Sequence, residues 1–378
     1  MRIGTIYTLY GRRAGAELCF EKTVESISLI DSTVEWVVFC NKEAERILLE
    51  SYSYVKPIYV SWLDNQYKKA FWLEFLSKSV VESHHLDCFW NPSGCNHFPG
   101  KWVVPVLTTF HDLGEYHVKN KYSFARMFFR KRICIPRSVQ RSASFTCVSK
   151  FTFDDMERFL NISQTRKRVS VIYNGHSPHS ITFPNDAQGM VKRLGLECGM
   201  YFFTPGRTDF IGKGLDVLLN SFENILKERQ DVKLVLVGPK GEGHERLEKE
   251  IGRPVFENRV LYLGRVDEDV LVSLYSNCIA TIIASRFEGF GFPVLEAMEY
   301  GVPIVCSSAA ALPEIAGDAA LMFKSEDIVD LEDKLKKVLM LDLENRTNLV
   351  ERGKNRLALF SWDKCASEMI DAFEEIFK

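Results

Sequence analysis

Two short apolar segments on either side of a glycine-bearing loop constrain the fold of this chain most. Residues Ile279–Ala284 and Val302–Cys306 are apolar except for Thr281, without the alternation of a half-exposed strand. Such runs are typical of parallel strands that are covered on both faces. Between them, Pro293 suits the first turn of a helix over Val294–Tyr300, and Gly301 suits its end. The pattern predicts strand, loop, helix and strand of an α/β domain.

The loop before this helix has the features of an anion site between two carboxylates. Gly289 and Gly291 allow the backbone to approach a ligand closely, and the N-terminus of a helix attracts phosphate through its unpaired N–H groups and its dipole. Glu288 stands on the loop and Glu296 about one turn into the helix, so each can accept hydrogen bonds from sugar hydroxyls. Ribose, diphosphate and hexose in this order make a nucleotide-sugar. Two glutamates eight residues apart are, by themselves, also common on solvated loops and helices.

The complete string is more specific than the two glutamates. Residues 288–298 read EGFGFPVLEAM, with Phe290 and Phe292 in the loop, and GVPIV follows at 301–305. This string resembles the signature of the retaining GT-B glycosyltransferases of family 4. The resemblance implies a GT-B fold, in which two Rossmann-like doubly wound domains face each other across a cleft and a C-terminal helix crosses back to the first domain. It covers nearly the whole chain and is strong from Thr204 onward.

A basic motif opens the second half of the chain. Gly206 and Arg207 follow a predicted strand, and Lys213 precedes a helix that begins at Leu215. The planar fork of arginine and the point charge of lysine both suit a diphosphate. Fixed cations would also stabilise the charge that grows on a departing diphosphate, because that charge is largest in the transition state. The two residues match the diphosphate-binding pair of the family, so we expect a reaction without a metal or another cofactor.

Two motifs of the first half match the family less completely. His111 ends an apolar strand, where a lone histidine is commonly structural, but it matches the family's His-Asp step. The resemblance implies that it orients and polarises the donor sugar, while Asp112 suits a helix N-cap equally well. The first strand is followed by Gly11, where the family usually has a glycine-rich loop near the phosphates and the acceptor. Arg12 and Arg13 are inserted there and can instead meet an acidic acceptor.

Strands and helices alternate along both halves, as in doubly wound parallel sheets. We predict an acceptor-binding domain over 1–176, a linker over Ser177–Gly189, a nucleotide-sugar-binding domain over 190–360 and a C-terminal helix over 361–378 that packs back on the first domain. A long aromatic-rich helix is predicted over Gln66–His84. The predicted strands are Ile3–Leu9, Val34–Cys40, Val55–Val60, Cys88–Trp90, Val103–Phe110, Ser144–Ser149, Val169–Tyr173, Tyr201–Thr204, Val232–Val237, Val260–Leu263, Ile279–Ile283, Ile304–Cys306 and Ala320–Phe323.

The charge of the chain excludes some functions and is unevenly distributed. The net charge of −2 excludes a general nucleic-acid binder. Residues 1–175 carry 24 Lys and Arg against 17 Asp and Glu, a balance of +7, whereas residues 176–378 carry 24 against 33, a balance of −9. The ten cysteines show no tight pairing and several lie in apolar runs, which favours buried thiols in a reducing cytosol. A His/Cys cluster over 84–97 lacks the spacing of a zinc site, so we expect no metal there.

The segment Tyr116–Phe153 contains nine Lys and Arg residues and no Asp or Glu. Phenylalanines are interleaved with these cations in a predicted helix over Tyr122–Ile135, in which Arg130, Lys131 and Arg132 are consecutive. A basic helix with exposed aromatic side chains is attracted to an anionic membrane. We therefore predict peripheral attachment to the inner face of the cytoplasmic membrane and a lipid-linked saccharide as acceptor. The alternative interpretation is a solvated basic face over an ordinary apolar core.

The resemblance also implies a reaction. In the family a hexose moves from a nucleotide diphosphate-sugar to an acceptor hydroxyl with retention, and the departing diphosphate takes the acceptor's proton. The segments at 317–321 and 360–362 resemble mannosyltransferases of bacterial surface polysaccharide assembly, which favours GDP-mannose as donor and O-antigen or capsule synthesis as the process.

Three alternatives stay open at this point. They are a UDP-sugar-dependent transferase with a soluble acceptor, an inactive nucleotide-sugar-binding subunit, and another activity of the superfamily, such as that of a glycogen-synthase-like polymerase or a sucrose-phosphate enzyme. A retaining glycosidase is disfavoured, because it needs its two carboxyl groups about 5 Å apart.

Overall fold

The computed structural model divides the chain into two compact units. One consists of Met1–Gly175 and Phe360–Lys378, and the other of His176–Leu359. Each unit contains one fully parallel sheet with helices, which confirms the predicted fold class. The structure describes residues 1–11, 15–118, 123–176 and 184–377.

The first unit has a seven-stranded sheet of order β3-β2-β1-β4-β5-β6-β7. Its strands are β1 (Arg2–Tyr7), β2 (Glu35–Cys40), β3 (Val55–Tyr59), β4 (Cys88–Asn91), β5 (Val106–Phe110), β6 (Ser144–Cys147) and β7 (Val169–Val171). Its α-helices are α1 (Gly15–Ile30), α2 (Lys42–Ser51), α3 (Gln66–Phe71), α4 (Ser77–Glu82), α5 (Phe124–Phe129), α6 (Ile135–Arg141), α7 (Lys150–Leu160) and the C-terminal helix of the chain, Trp362–Glu375. Every predicted strand of this unit is present, within a few residues at each end.

Two predicted helices of the first unit contain wide π-helical turns. The helix predicted over Gln66–His84 is interrupted at Trp72–Leu76 and ends at Glu82. The helix predicted from Tyr122 is likewise interrupted at Arg130–Cys134. A π turn inserts one extra residue, so consecutive side chains such as Trp72 and Leu73 can both be buried. The ordinary 3.6-residue pattern gives no sign of such a turn.

The C-terminal helix packs into the first unit, as the resemblance implied. The ring of Phe373 is fully buried, with its centroid 6.3 Å from that of Trp36 and 6.4 Å from that of Trp90. The chain enters this helix at Trp362, whose backbone nitrogen lies 2.2 Å from where a Cβ of Gly175 would be. Only glycine fits there, so the end of the first segment and the C-terminal helix are in close backbone contact.

The second unit has a six-stranded sheet of order β10-β9-β8-β11-β12-β13. Its strands are β8 (Tyr201–Pro205), β9 (Lys233–Val237), β10 (Val260–Tyr262), β11 (Thr281–Ile283), β12 (Ile304–Ser307) and β13 (Ala320–Phe323). Its helices are α8 (Ala187–Arg193), α9 (Leu215–Glu228), α10 (His244–Ile251), α11 (Glu268–Ser276), α12 (Phe292–Glu299), α13 (Leu312–Ala316), α14 (Ile328–Leu339) and α15 (Leu343–Leu357). The C-terminal helix described above is therefore α16. β8 and β11 are neighbours at the centre of this sheet, and this places the segments that follow them side by side.

The predicted linker is wrong at its C-terminal end. Residues 187–189 begin α8, and the Asp186 carboxylate caps that helix by accepting a hydrogen bond from the Gly189 N–H at 3.1 Å. An Asp in the capping position was interpreted as part of a polar linker, although it is also a helix start signal. Residues 177–183 lie outside the described part of the chain.

Within the described ranges, none of the helices combines the length and the apolar character that a bilayer crossing needs.

Candidate active site

The two motifs of the second unit meet at one edge of its sheet. Gly206 and Arg207 follow β8, and Ser285 and Glu288 follow β11. Because the strands are parallel and adjacent, their carboxyl ends lie at the same edge, where ligands of open α/β sheets bind. A cavity opens there. The side chains and backbone of Thr204, Pro205, Gly206, Arg207, Thr208, Lys213, Leu215, Leu236, Ile282, Ile283, Ala284, Ser285, Glu288 and Pro293 line it.

Lys213 and Glu288 form an ion pair in this cavity. The Lys213 Nζ lies 2.5 Å from the Glu288 Oε1, and the Ser285 hydroxyl donates to the same oxygen at 2.7 Å. Both charged side chains are only partly exposed, at 26% and 19%. Among the described residues no hydrogen bond reaches the Glu288 Oε2. The pair therefore offers a ligand one carboxylate oxygen and a cation in a fixed position.

The loop that carries Lys213 is tied to the end of β11. Gly214 has a φ of +63°, and a Cβ there would lie 2.0 Å from the carbonyl oxygen of Ala284. Arg286 donates its backbone N–H to the Gly212 carbonyl at 3.0 Å, and its guanidinium holds both oxygens of Asp216 at 2.7 and 2.8 Å. These contacts keep Lys213 opposite Glu288, since both ends of its loop are anchored.

Arg207 stands at the solvent side of the cavity. Its side chain is exposed and makes no hydrogen bond or ion pair to another side chain in the described part of the chain. The turn before it needs Gly206, which has a φ of +109°. Gly238 approaches from β9, where a Cβ would lie 2.1 Å from the Gly206 carbonyl oxygen. The backbone of Arg207 is therefore fixed while its guanidinium is available to an anion.

The glycine loop ends at the N-terminus of α12. This helix runs over Phe292–Glu299, two residues earlier than predicted at its start, and Gly291 is its N-cap with a φ of +115°. No side chain caps the helix, so a ligand can approach its positive end, although Pro293 has no N–H and the Val294 N–H donates to the Gly291 carbonyl at 3.0 Å. Phe290 is buried and packs its ring 5.3 Å from that of Phe292, which anchors the loop that includes Gly289.

Glu296 has a partner that the sequence did not indicate. The Tyr275 hydroxyl, from α11, donates to the Glu296 Oε2 at 2.5 Å. The two predicted glutamates thus have different neighbours: Glu288 is paired with a lysine and a serine, and Glu296 with a buried phenol. Burial, followed by the nearby Glu296 carboxylate, raises the pKa of Tyr275 well above its ordinary value, so the phenol remains a hydrogen-bond donor.

His111 lies at the carboxyl end of β5 in the first unit. Its Nε2 is 2.8 Å from the carbonyl oxygen of Pro92. A carbonyl only accepts, so Nε2 carries the proton and a neutral ring keeps its lone pair on Nδ1. Burial lowers the pKa of His111, against the opposing effect of the Pro92 carbonyl, so the imidazole is neutral at pH 7. Asp112 accepts a hydrogen bond from the Gly114 N–H at 2.8 Å, but the N-cap of the short 3₁₀ helix Gly114–Tyr116 is Leu113.

The first glycine turn is described only in part. Gly11 has a φ of +68°, and its N–H donates to the Glu43 carboxylate at 3.0 Å. Arg12 and Arg13, which were predicted to meet the acceptor, lie outside the described residues.

The basic segment is less available to a membrane than its sequence predicts. Arg130 is buried at 6% exposure, where it pairs with the fully buried Glu115 carboxylate and donates to Asn96 at 3.1 Å. Arg137 and Arg141 bind Glu74 at 3.0 and 2.9 Å. The assignment of Arg130 to a lipid surface is therefore wrong, because its charge is used inside the fold.

Other cations of the segment do face solvent. Arg126 and Arg132 are exposed, and Phe124 and Phe128 are 86% and 54% exposed. Lys131 is half-buried, with its ammonium 4.5 Å from the centre of the Tyr116 ring. Lys119 and Lys121 lie outside the described residues.

No metal site is formed within the described ranges, since no three His, Cys, Asp or Glu side chains come together there. The chain does contain one Asp-x-Asp stretch, Asp267-Glu268-Asp269. It forms the first turn of α11, with Asp267 as the N-cap residue.

Comparison with known families agrees with the two units and their motifs. Residues 28–179 match the model described as Glycosyltransferase Family 4, and residues 201–356 match the model described as Glycosyl transferases group 1. The chain belongs to the family 4 glycosyltransferases. This confirms the family that the string at 288–298 resembles, and with it the glycosyltransferase activity.

The similar proteins span nearly the whole chain. O-antigen chain mannosyltransferase B of Escherichia coli is 25% identical over 339 residues, which are 87% of this chain and 80% of that protein. The structure of Anabaena HepE in complex with UDP and glucose superposes with a TM-score of 0.75 at 18% identity, covering 99% of this chain and all of the other. Sucrose-phosphate synthase from Thermosynechococcus elongatus superposes with a TM-score of 0.78 at 18% identity, covering 100% and 99%. At these identities the two structures support the fold alone.

Proposed function

We propose that this family 4 glycosyltransferase transfers a hexose, with mannose from GDP-mannose favoured, to a lipid-linked saccharide of a surface polysaccharide such as O-antigen or capsule. The observation that carries the proposal is the Lys213–Glu288 pair on a cavity at the carboxyl edge of the second sheet. A cation and a carboxylate side by side suit a ligand whose anionic part adjoins a polyhydroxylated part, and a nucleotide diphosphate-sugar has this form.

The roles of the side chains follow from their chemistry. Arg207 and Lys213 hold the diphosphate, together with the positive end of α12, which no side chain caps, and the backbone at Gly206. Glu288 accepts hydrogen bonds from the hexose hydroxyls through Oε2, and Glu296 accepts them from the ribose. The loop of Gly289, Phe290, Gly291 and Phe292 shapes the surface between the two carboxylates.

The reaction needs no protein nucleophile or metal under this proposal. The bond from the hexose C1 to the diphosphate breaks, and negative charge grows on the departing oxygens, where Arg207 and Lys213 stabilise it. The diphosphate takes the proton of the acceptor hydroxyl, whose oxygen bonds to C1 on the face that the diphosphate leaves, so the configuration is retained. Under this proposal His111 keeps the role that the family resemblance implies, which is to orient and polarise the donor sugar. A neutral ring with a lone pair on Nδ1 accepts a hydrogen bond from a hydroxyl rather than donating one.

The acceptor is proposed to come from a membrane surface. Two helical stretches of the first unit pack into one core cluster through Trp72 and Phe129, and both also expose aromatic rings. Phe71 and Phe75 are 49% and 65% exposed with their rings 4.9 Å apart, and Phe124 is 86% exposed. Aromatic rings beside exposed cations such as Arg126 and Arg132 suit the headgroup region of an anionic bilayer. This supports peripheral attachment to the cytoplasmic face, where lipid-linked saccharides carry a diphosphate.

The function is tested with a panel of nucleotide sugars and lipid-linked saccharides. The purified protein is incubated with GDP-mannose and with UDP-hexoses, and the product is identified by mass and by the anomeric configuration of the new bond. We expect one added hexose in the α configuration, with GDP-mannose the best donor. A β linkage would contradict retention, a UDP-sugar as best donor would replace GDP-mannose, and release of nucleotide without any acceptor product would favour a binding subunit or a hydrolase.

A further inference from the structure

Tyr275 occupies a position in the second unit that no motif of the family string assigns. It lies at the C-terminal end of α11 and is fully buried. Its ring packs edge-on against Phe203, with the centroids 4.8 Å apart, and is stacked on Tyr300 at the same distance. Two aromatic neighbours hold the ring plane, so the direction of its hydroxyl is fixed by packing.

The hydroxyl of Tyr275 points at the Glu296 carboxylate. It donates to Oε2 at 2.5 Å, a distance within the range of hydrogen bonds from a hydroxyl to a carboxylate, which are a strong class of hydrogen bond. Among the described residues this is the one hydrogen bond that the carboxylate receives, and Oε1 has none. Glu296 is therefore held by one oxygen and presents the other.

We infer that Tyr275 is a positioning residue that fixes the rotamer of Glu296 so that its free oxygen recognises the ribose hydroxyls of the donor nucleotide. The inference rests on the proposed function, in which Glu296 binds the ribose. A glutamate has three rotatable side-chain bonds, and ordering such a side chain costs free energy when a ligand binds. A hydrogen-bond partner that orders the Glu296 side chain before the ligand binds removes this cost. It also favours ligands whose hydroxyls can reach the Glu296 Oε1.

The test variant is Tyr275→Phe, which removes the hydroxyl and keeps the ring between Phe203 and Tyr300. The matched control is Tyr201→Phe. Tyr201 is also fully buried, and its hydroxyl donates at 2.7 Å to the carbonyl oxygen of Leu274, the residue next to Tyr275 on the same helix. Both variants lose one buried phenol hydrogen bond to this region, but only Tyr275→Phe releases the Glu296 carboxylate.

The measurement is calorimetric titration of GDP and UDP and of their 2′-deoxy and 3′-deoxy forms. The wild-type protein should prefer the ribonucleotide to at least one deoxy form by about tenfold, the size expected when one hydrogen bond to a charged group is lost. Tyr275→Phe should bind the ribonucleotide several-fold more weakly and the same deoxy form unchanged, so that the preference falls towards one. Tyr201→Phe should keep the wild-type preference, even if its melting temperature falls equally.

The Glu296→Ala variant separates the inference from the function on which it rests. Glu296→Ala should lose the ribose preference, and adding Tyr275→Phe to it should weaken binding no further, because the two residues act as one unit. A Tyr275→Phe variant that keeps the preference, or a double variant whose losses add, would overturn the role of Tyr275 alone. If Glu296→Ala itself kept the preference, the ribose assignment of Glu296 and the inference would both be wrong.

Discussion

The Lys213 ammonium lies 2.5 Å from the Glu288 carboxylate, on a cavity that both side chains line. The partners are 75 residues apart in sequence and are brought together by the adjacency of β8 and β11. An ion pair between partly exposed side chains adds little stability, commonly less than about 1 kcal/mol. In the proposed function the pair acts through its position, because it holds a cation ready for the leaving diphosphate and a carboxylate ready for the sugar.

The first prediction separates the two glutamates. Glu288→Gln should lower kcat strongly while GDP or UDP binds almost as in the wild type, because the proposed function assigns Glu288 to the transferred sugar. Glu296→Ala should weaken binding of the donor and the free nucleotide alike, by roughly 1–3 kcal/mol for a lost charged hydrogen bond. Steady-state kinetics and nucleotide titration measure the two effects. If both variants bound nucleotide as tightly as the wild type, Glu296 would not hold the ribose.

A second prediction concerns the protonation of His111. Burial lowers its pKa from the ordinary value of about 6.5, so the neutral ring persists at pH 7 and is protonated only at lower pH. Protonation removes the Nδ1 lone pair, so the acidic limb of kcat/KM that belongs to His111 should lie below pH 6.5. The variant His111→Gln should lack this limb. If the acidic limb of the kcat/KM profile were centred at or above pH 7 and disappeared in His111→Gln, the claim that a neutral His111 ring accepts a hydrogen bond would be contradicted.

A third prediction follows from the burial of Arg130. Replacing it with Ser should destabilise the first unit by about 3–5 kcal/mol, because the fully buried Glu115 carboxylate loses its counter-charge. The double variant Arg130→Met with Glu115→Leu should recover much of this loss, since it leaves no unpaired charge. Chemical denaturation measures both. A loss below 1 kcal/mol for Arg130→Ser would mean that the pair is not a buried one.

The membrane prediction is tested at the exposed residues instead. Sedimentation with vesicles should show binding that needs anionic lipid and falls with salt. Replacing Arg126 and Arg132 with Ser should weaken binding, and adding Phe124→Ser should weaken it further. The control replaces Lys42 and Arg46, two exposed cations of α2 in the same unit. Equal binding to neutral and anionic vesicles, or an equal loss of vesicle binding in the control, would mean that the segment is only a solvated basic face.

The sequence predicted the strands well because their signal is local. Runs such as Val302–Cys306 are apolar regardless of what packs on them, and the order of strand and helix then restricts the sheet to a parallel one. The glycines of the two motifs in the second unit were also predictable, because the backbone needs them. Gly214 and Gly291 both have positive φ, and a Cβ on either would collide with a neighbour. A backbone position that only glycine can occupy is visible in the sequence as a glycine.

The features that were missed depend on partners distant in sequence. The sequence pattern indicates a surface cation at Arg130, because its counter-charge, Glu115, lies 15 residues earlier and outside the acid-free segment. The sequence indicates only an ordinary core residue of a helix at Tyr275. Its hydrogen bond to Glu296 forms only in the folded unit, where α11 and α12 lie close together. Neither residue type nor spacing indicates such pairs.

The most direct test of the account is donor cleavage under chelation by the wild type and by Lys213→Met. In the presence of EDTA and the preferred nucleotide sugar, the wild-type enzyme should retain full activity, and Lys213→Met should lose on the order of 100-fold or more in kcat, as expected for a preorganised charge that stabilises the leaving group. Lys240→Met, which removes an exposed lysine paired with Glu248, should stay within twofold of the wild type. An absolute requirement for added Mn²⁺ or Mg²⁺, or a Lys213→Met variant as active as the wild type, would contradict the proposed site.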